Sequence, residues 1–424
     1  MRVLLLGGGG REHALGWKLS QSPHLTELLC VPGNPGLANI GSVMPSVDIE
    51  DPAAVAALAV AERVDLVVVG PEGPLATGVV DALVAKGIPT FGPSRAAAQL
   101  ESSKAFAKEI MGRAGVPTGD ASSFTDVAAA TAFLTDRQGP YVVKADGLAA
   151  GKGVLVTSDV VAAQAWARLC LEGHFGEAGR TIVIEEYLRG DEVSVFAVCD
   201  GTTAIPLAPA RDYKRLRDGD LGPNTGGMGC YSPPEDLPDD LIDATMDTVI
   251  KPVLHALAAE GIQYRGFLYA GLMLTPDGMQ VLEFNCRMGD PETQALMPRL
   301  EDDLLELLTE AARGSLSERR LEWRNVAAVD VVLAAPGYPD APERGTPISG
   351  VGAAEAMSDV IVFHAGTGQS DEGLVTAGGR VMNVVGLGAT VSAARNAAYR
   401  GVDAIDFPGM QYRLDIAAST GTDD

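Results

Sequence analysis

Glu283 and Asn285 stand two residues apart in an apolar stretch that predicts a β-strand. Because alternate residues of a strand point to the same face, both side chains can reach one metal ion. Their oxygen atoms are hard ligands of the kind Mg²⁺ prefers, and Mg²⁺ takes the rest of its coordination shell from phosphates and water. The pair therefore predicts a magnesium site beside a nucleotide, although the same triplet is also typical of a plain surface strand.

A glycine-rich stretch from Lys144 to Gly153 combines the residue types that hold a polyphosphate. Lys144 ends a predicted strand, and the loop after it contains Gly147, Gly151 and a second lysine, Lys152. Glycines let backbone amides approach phosphoryl oxygens, and lysines neutralise their charge. The G-x-x-x-x-G-K-[S/T] spacing of a Walker loop is absent. The stretch favours a flexible phosphate-covering loop over an ordinary hairpin with exposed lysines.

A group of carboxylates follows another predicted strand. Glu185 and Glu186 end that strand, Leu188 follows them, and Glu192 comes after a break at Gly190. Carboxylates there can accept hydrogen bonds from ribose hydroxyls while backbone groups bind an adenine ring. By themselves, paired glutamates at a strand end are more often a solvated face. The stretch is thus a hypothesis for a nucleoside site.

Two polar, glycine-rich loops carry charges of both signs. One runs from Arg287 to Thr293, directly after the predicted metal strand, and the other spans 211–229. Guanidinium groups bind carboxylates or phosphates in a fork, and carboxylates pair with amines. Together the loops can hold a zwitterionic or phosphorylated substrate, whereas a single loop of this kind is more often a surface connection.

A run of four glycines, Gly7–Gly10, follows the first predicted strand and opens a helix. Free backbone N–H groups and the helix dipole favour a phosphate at such a position. The third glycine of a dinucleotide fingerprint would fall at Glu12, which weakens a nicotinamide interpretation. The run predicts either a phosphate or sugar-phosphate site or a tight turn without a ligand. We interpret His13 as part of the helix start rather than as a base.

Composition limits the classes of protein to which these residues can belong. A length of 424 residues corresponds to about three domains. The chain is 46% hydrophobic and 21% charged and contains no apolar run that could span a bilayer, so it is neither wholly disordered nor membrane-spanning. A net charge of −24 opposes nonspecific binding to nucleic acid or to an anionic membrane. Five scattered cysteines without a C-x-x-C pair, and no signal peptide pattern, predict a reducing cytoplasm without disulfides or a zinc site.

The elements that must position these residues begin with a parallel sheet. Short apolar runs alternate with helical stretches through the first hundred residues or so. The predicted strands are Val3–Leu6, Leu28–Val31, Val64–Val69 and Ile88–Phe91. A helix begins at Asp51 and Pro52, and another ends near Lys86, before Gly87.

The next regions predict an α+β lid above a sheet that forms its floor. A helix from Ser102 to Ala114 leads into them. The lid contains a helix capped by Thr125, strands at Tyr141–Lys144, Val154–Val156 and Thr181–Tyr187, and a helix around Val160–Leu171. The floor contains strands at Val193–Cys199, Phe267–Leu274 and Gln280–Asn285 and a helix at about Leu241–Glu260. A strand-rich tail starts at Val326 and ends in the disorder-prone stretch 419–424.

Sequence blocks along the whole chain resemble those of the phosphoribosylamine–glycine ligase family, in the ATP-grasp superfamily. The blocks are GGGGREHAL, VPGNPG, VVGPEGPL, FGPS, SKAFAKE, KADGLAAGKGV, IEEYL, GPNTGGMGCYSP, GFLYAGLM, LEFNCRMGDPETQ and FHAGT. GPNTGGMG together with EFNCRMGDPETQ is specific to this family. Because the blocks run from the first strand to the C-terminal part, the resemblance extends from end to end.

The resemblance implies a mixed α/β and α+β architecture. Its parts are an N-terminal doubly wound parallel-sheet domain (1–102), a two-part ATP-grasp domain (103–325) with a mobile lid at about 119–188, and a small strand-rich C-terminal domain (326–424). It implies that ATP and Mg²⁺, with Mn²⁺ as an alternative ion, drive the joining of glycine to 5-phosphoribosylamine in purine biosynthesis. We expect no nucleic-acid or membrane partner and a monomer or weak dimer.

The resemblance also implies a role for individual residues. The ATP-binding set is Lys104, Lys144, Gly147, Gly151, Lys152, Gly153, Glu185, Glu186, Leu188 and Glu192. The substrate-binding set is Gly9, Gly10, Arg11, Asn224, Thr225 and Asp290, the catalytic set is Arg287, Asp212 and Lys214, and the metal ligands are Glu283 and Asn285. The chain departs from related sequences in having Tyr213 where histidine is commoner, Met288 where phenylalanine is commoner, and no acidic residue in Phe267–Leu274.

A carboxylate is a poor acylating agent, so the implied reaction first activates glycine. Its carboxylate attacks the γ-phosphoryl group to form glycyl phosphate, and the amine of phosphoribosylamine then attacks the carbonyl carbon. A closed lid would keep water from the acyl phosphate. The alternatives are another ATP-grasp carboxylate–amine ligase or carboxylase, disfavoured by GPNTGGMG, and a noncatalytic nucleotide-binding regulator, disfavoured by the intact Lys144, Glu283 and Asn285.

Overall fold

The computed structural model describes residues 1–45, 47–149 and 152–418. Its N-terminal part contains β1 (Arg2–Gly7), α1 (Gly10–Leu19), β2 (Glu27–Pro32), β3 (Ser42–Val43), α2 (Pro52–Ala61), β4 (Leu66–Val69), α3 (Glu72–Thr77), α4 (Val79–Ala85) and β5 (Thr90–Phe91). The strands pair in the order β3-β2-β1-β4-β5, and every pair is parallel. This confirms the predicted doubly wound sheet, whose strand β5 is shorter than the predicted Ile88–Phe91.

Two helices lead from this sheet into the lid. They are α5 (Gln99–Ser102) and α6 (Lys104–Ala114), and Ser103 caps α6 by accepting a hydrogen bond from Phe106 N. The lid follows as β6 (Ala121–Phe124), α7 (Val127–Thr135), β7 (Tyr141–Ala145), β8 (Val154–Thr157), α8 (Val160–Leu169) and β9 (Ile182–Glu185). Its antiparallel sheet has the order β6-β9-β7-β8.

The prediction that Thr125 caps the first lid helix is wrong. Asp126 is the capping residue of α7, and its carboxylate accepts a hydrogen bond from Ala129 N at 2.8 Å. Both residue types cap helices well, but the helix starts one position later than the sequence pattern indicates.

The floor is a four-stranded antiparallel sheet with helices on both faces. Its elements, with those of the connecting loop, are β10 (Asp191–Asp200), β11 (Ala204–Pro206), β12 (Arg211–Asp212), β13 (Arg215–Arg217), β14 (Leu221–Asn224), β15 (Gly229–Ser232), α9 (Leu241–Thr245), α10 (Lys251–Ala259), β16 (Arg265–Thr275), β17 (Gly278–Asn285), α11 (Glu292–Leu296) and α12 (Leu304–Arg313). The floor sheet has the order β11-β10-β16-β17, with α9 and α10 packed against one face and α12 against the other. A π-helical turn, Met246–Ile250, joins α9 to α10, where the sequence predicts one helix.

The C-terminal part contains β18 (Ala327–Ala334), α13 (Val351–Glu355), β19 (Val360–His364), β20 (Thr367–Ser370), β21 (Gly373–Thr376), β22 (Arg380–Gly388) and α14 (Val391–Ala404). Its main sheet, in the order β12-β15-β18-β22-β19, recruits two strands from the polar loop 211–229 and its end. The predicted long loop therefore contains strands, and its strand β12 is joined to the C-terminal sheet through β15. No helix among the described residues is long and apolar enough to cross a membrane.

The buried side chains divide the molecule differently from the chain order. Val69 and Leu83 of the N-terminal sheet region share a core with Leu268 and Val281 of the floor. The lid has a separate core. It contains Ala130, Leu134, Val143, Ala163, Ala167, Ile182 and Ile184. The N-terminal sheet and the floor are thus packed as one body, on which the lid is mounted.

Candidate active site

A cleft of about 1530 Å³ lies where the lid, the floor, the N-terminal sheet and the C-terminal sheet meet. Most of the predicted site residues line it: Arg11, Lys104, Lys144, Gly147, Gly153, Glu185, Glu186, Leu188, Glu192, Asp212, Lys214, Asn224, Thr225, Glu283, Asn285, Arg287 and Asp290. Gly9, Gly10 and Lys152 are not among its lining residues, and Gly151 lies outside the described residues.

Three ammonium groups, those of Lys104, Lys108 and Lys144, line this cleft. Lys144, on β7, is buried and pairs with Glu185 of the neighbouring β9, with 2.9 Å between Nζ and Oε2. Lys108 of α6 approaches the same carboxylate at 3.7 Å. Burial opposes the charge of Lys144, but Glu185 and Glu283 outweigh it and raise its pKa. The lysine therefore stays protonated, while Glu185 is engaged with protein groups rather than free for a nucleoside.

Lys104 lies at the start of α6, where it contacts the beginning of the glycine-rich loop. Its Nζ donates hydrogen bonds to Asp146 O at 3.2 Å and to Gly147 O at 3.4 Å. Burial lowers the pKa of Lys104, an effect that Glu283 opposes. The Asp146 carboxylate accepts from Ala105 N at 2.7 Å and from Ser103 Oγ at 3.0 Å. Asp146 therefore fastens the end of β7 to the start of α6.

Gly147 and Gly153 of the loop lie where the chain packs too closely for a side chain. A Cβ atom on Gly147 would come within 2.7 Å of the Ala178 backbone, and one on Gly153 within 2.8 Å of the Ala149 side chain. The backbone N–H of Lys152 donates to Ala149 O at 2.9 Å, and the Lys152 side chain is exposed. Among the described residues of the loop, Lys152 is thus tied back to Ala149.

The strand end at Glu186 joins the lid to the segment that enters it. Its backbone N–H donates to Asp120 O at 2.8 Å, and its carboxylate accepts from Asp120 N at 3.3 Å. Leu188 and Glu192 continue along the cleft wall. These contacts fasten the end of β9 to the segment that enters the lid.

Glu283 and Asn285 lie on the same face of β17, opposite Gly271 and Tyr269 of β16. A Cβ atom at Gly271 would stand 3.4 Å from Glu283 Cγ, which is an ordinary van der Waals contact. Burial opposes ionisation of Glu283, but Lys214, Lys144 and Lys104 outweigh it and lower its pKa. An ionised carboxylate and an amide oxygen on one face, opposite several lysines, fit a Mg²⁺ ion that also binds phosphate.

The polar loop brings Asp212 and Lys214 to the middle of the cleft. The Lys214 ammonium pairs with Glu192 and lies 3.9 Å from Glu283 Oε1. Burial raises the pKa of Asp212 well above its usual range; Lys214 opposes this shift and Glu292 adds to it. Thr225 returns the loop to Lys214, whose carbonyl oxygen accepts from Thr225 N at 2.8 Å. The neighbouring Asn224 is exposed on the cleft wall.

Arg287 is engaged by two carboxylates. Its guanidinium lies 3.2 Å from Glu72 of α3 and 2.9 Å from Glu101 of α5. Arg11 approaches Glu72 at 3.9 Å and pairs with Glu12 at 2.6 Å. Burial opposes ionisation of Glu72, but Arg287 and Arg11 outweigh it and lower its pKa to about 2. This ion-pair network, which we call the junction, links the N-terminal part to the floor.

Asp290 is held from the C-terminal part. Arg380 of β22 lies 3.1 Å from one carboxylate oxygen, and Gln294 donates to the other at 2.7 Å. Gly9 and Gly10 are packed against other protein groups. A Cβ atom on Gly10 would come within 2.4 Å of the Asn383 side chain, and Gly9 N donates to the Glu12 carboxylate at 2.7 Å. In this structure the glycine run closes on protein groups.

Several residues of the cleft do not appear in the sequence-based set. Lys108 follows Lys104 by four positions on α6, so helical spacing could have indicated it. Glu72 begins a helix after a parallel strand, a position at which ligands commonly bind. Arg380 carries no such local signal, because only the packing of distant segments brings it to the cleft.

Three family models match successive parts of the chain. They are the N domain of phosphoribosylglycinamide synthetase at residues 1–101, its ATP-grasp (A) domain at 102–293 and its C domain at 328–419. All the bodies that form the cleft therefore have counterparts in one family.

Individual proteins match over nearly the full length. A phosphoribosylamine–glycine ligase of Caulobacter vibrioides is 52% identical over 418 residues, which cover 98% of this chain and 97% of the relative. One of Mesorhizobium japonicum is 50% identical over 416 residues, with the same coverage. The crystal structure of a phosphoribosylamine–glycine ligase from Thermotoga maritima matches 98% of this chain and 100% of its own, with 36% identity and a TM-score of 0.85.

Proposed function

Because the chain belongs to the phosphoribosylglycinamide synthetase family, we propose that the cleft between its lid and its floor is the active site of the family's reaction. That reaction joins glycine to 5-phosphoribosylamine through a new C–N bond and gives glycinamide ribonucleotide in purine biosynthesis. ATP is consumed and ADP and phosphate are released. The assignment of residues to steps, given below, is our proposal.

ATP binds with its phosphates between Lys104, Lys144 and the glycine-rich loop. The ammonium groups of Lys104, Lys144 and Lys108 support this assignment. Lys144 and Lys108 share the single carboxylate of Glu185, so a polyphosphate can supply further negative charge to balance the lysines. The loop residues Gly147, Gly151, Lys152 and Gly153 cover the phosphates. The base and ribose lie along the hinge, from Glu185 and Glu186 to Leu188 and Glu192. Since Glu185 pairs with Lys144, its carboxylate acts by holding that lysine.

Glu283 and Asn285 hold a Mg²⁺ ion, with Mn²⁺ as an alternative. The ion supplies charge neutralisation at the phosphates when bound. The lowered pKa of Glu283 supports its role as a ligand, because the carboxylate is then ionised throughout the neutral range. Gly271 keeps the neighbouring position on β16 free of a side chain.

The first chemical step places the glycine carboxylate in line with the γ-phosphorus. A new O–P bond forms as the bond to the ADP oxygen breaks, which yields glycyl phosphate and ADP. Lys214 and Arg287 stabilise the negative charge that is spread over the transferring group. Lys214 is well placed to do so, because it lies beside both Glu192 and the metal ligand Glu283.

In the second step the phosphoribosylamine nitrogen attacks the carbonyl carbon, and phosphate leaves. Asp212 takes up the proton that the nitrogen loses. Burial and Glu292 raise the pKa of Asp212, which strengthens it as a base relative to an exposed carboxylate. Arg11, Asn224, Thr225 and Asp290 bind the ribose phosphate part, with Gly9 and Gly10 supporting Arg11 at the helix start.

The observation that carries this proposal is the meeting of the lysine cluster, the Glu283–Asn285 pair and the Asp212–Lys214 pair in one cleft. The test is ADP release from the purified protein with Mg-ATP, comparing glycine alone with glycine plus freshly generated phosphoribosylamine. We expect release that requires both substrates, with glycinamide ribonucleotide detected by mass. Release only with another acid or amine would overturn the substrate assignment.

We further propose that the protein works in the cytoplasm as a monomer or weak dimer, with small molecules as its binding partners. The five cysteines are all free and buried, which suits a reducing compartment. Light scattering of the purified protein tests the oligomeric state, and a stable higher oligomer would contradict it.

A further inference from the structure

The hairpin of β13 and β14 has little support of its own. Its strands pair Arg215 with Asn224 and Arg217 with Leu221, and all of β14 is exposed. An isolated two-stranded hairpin is only marginally stable in water. The geometry of this hairpin must therefore be set by what it packs against, whereas Asp212, just before it, is also held by the pairing of β12 with β15.

Residues 413–417, which we call the C-terminal strap, pack against this hairpin through Arg413. The Arg413 side chain is buried, with 1% of the residue exposed. Its guanidinium pairs with Asp415 through two hydrogen bonds of 2.7 Å. It also donates to Arg215 O at 3.1 Å and lies 3.4 Å from Asp220. One side chain thus connects the strap to the start of β13, at Arg215, and to the residue before β14, Asp220.

The strap and the turn of the hairpin also exchange hydrogen bonds, each from a backbone N–H group to a side-chain carboxylate. Gly219 N donates to Asp415 Oδ2 at 2.8 Å, and Leu414 N donates to Asp218 Oδ1 at 2.8 Å. The contacts run in both directions, so the turn is fixed against the strap rather than only touching it. Charge-assisted contacts of this kind are roughly twice as strong as neutral ones.

Tyr213 extends the same contact to the residues that face the cleft. The Arg413 guanidinium lies 4.8 Å from the centre of the Tyr213 ring, and the Tyr213 hydroxyl accepts from Ala417 N at 3.0 Å. Its neighbour Lys214 is directed the other way, toward Glu192 and Glu283. Tyr213 therefore lies between the strap and the catalytic pair formed by Asp212 and Lys214.

We infer that Arg413 and Tyr213 are positioning residues, through which the strap sets the geometry of Asp212 and Lys214 for the ligation step. This inference rests on the proposed function of the cleft. The strap lies about two hundred residues along the chain from the pair it orients.

The test compares Arg413→Gln with Arg400→Gln, a control that removes an exposed arginine paired with Asp359 in the same C-terminal part. We expect Arg413→Gln to lower kcat/KM for glycine by roughly tenfold while the ATP dissociation constant, measured by calorimetry, stays within about twofold. Arg400→Gln should change neither. Tyr213→Phe keeps the ring but removes the acceptor for Ala417 N, and we expect a loss of about threefold in kcat/KM for glycine.

Equal losses of ATP affinity and glycine turnover in Arg413→Gln would overturn the inference, since that pattern indicates general damage to the fold. If Arg413→Gln does not fold, Tyr213→Phe decides: unchanged kcat/KM for glycine would also overturn it. Lys214→Met separates this inference from the proposed function. Wild-type turnover in Lys214→Met would refute the role of the loop itself, whereas impaired Lys214→Met with unimpaired Arg413→Gln and Tyr213→Phe would refute only the strap.

Discussion

The lid and the junction hold their charged groups in different ways. The lysine cluster pairs Lys144 with Glu185 inside the lid, and the lid has its own core. The junction pairs Arg287 with Glu72 and Glu101, in a region where the N-terminal part and the floor share one core. The lid end of the cleft therefore packs around its own core, whereas the junction lies where two parts of the chain share one core.

This difference suits the two ends to different tasks. At the lid end, the contacts between Glu186 and Asp120 are polar, which suits a part that would open for ATP to enter and ADP to leave in the proposed reaction. The substrate end must hold glycyl phosphate and an amine at reacting distance, which requires fixed groups. In the proposed reaction, the lid would cover the nucleotide and the junction would hold the substrates in place.

The largest expected effect is at the metal strand that both ends share. Glu283→Gln keeps the size of the side chain but removes its charge, so turnover should fall by roughly 100-fold or more. Circular dichroism should show an unchanged fold. Glu177→Gln, at an exposed lid glutamate, is the matched control. Wild-type turnover in Glu283→Gln would remove this residue from the metal site.

At the lid end, Lys144→Ala should weaken ATP binding by roughly 10-fold to 100-fold, because a buried ammonium is lost and Glu185 keeps only the more distant Lys108. Calorimetry of ATP binding measures the change. Lys251→Ala, which removes an exposed lysine paired with Asp247, should bind ATP as the wild type does. An unchanged affinity in Lys144→Ala would refute its contact with the phosphates.

Near the junction, His13 and His364 predict a pH dependence of stability. Burial lowers their pKa values to about 3 and about 4, so both are neutral in the folded protein at pH 5. The unfolded chain binds their protons below about pH 6.5, so each histidine lowers the unfolding free energy by up to about 1.4 kcal/mol per pH unit as the pH falls from there. Thermal unfolding between pH 7.5 and 5 should show a smaller slope for His13→Gln than for the wild type. Equal slopes would contradict this account.

The smallest expected effect is at the junction itself. Glu72→Gln leaves Arg287 its partner Glu101, and the Glu72 side chain is 35% exposed, so solvent screens the loss. We expect a cost of about 1 kcal/mol, seen as a thermal midpoint lower by about 2 °C, with ATP affinity unchanged. Asp359→Asn, in an exposed pair, should have less effect. A loss of ATP affinity in Glu72→Gln would mean that the two ends are not independent.

Local patterns in the sequence predicted the parts of the site that depend on neighbouring residues. The spacing of Glu283 and Asn285 on a strand and the lysine before a glycine-rich loop need only the geometry of a single strand. Thr125 and Asp126 show the limit of such patterns, because two good capping residues compete at adjacent positions. The side chain contacts of Glu72 and Arg380 were not predicted, because they depend on the packing of segments far apart in the chain.

The strands β12 and β15 make the same point for the fold. Their residues read as part of a polar loop, yet they pair with β18 of the C-terminal sheet. Short strands with few apolar residues are stabilised by the sheet that they join rather than by their own sequence. A single sequence therefore predicts the sheets with long apolar strands, such as β1 and β16, more readily than such additions.

The separate core of the lid also has a consequence for how this protein can change. Substitutions among Ala130, Val143, Ala163 and Ile184 need to be compatible with one another but not with the cores beneath the lid. The chain enters and leaves the lid near Asp120 and Glu186, which are joined to each other by hydrogen bonds. The lid of a relative could therefore replace this lid as one unit, joined to the rest of the chain at these two points. The core of the lid could then change during evolution without changes in the cores beneath it.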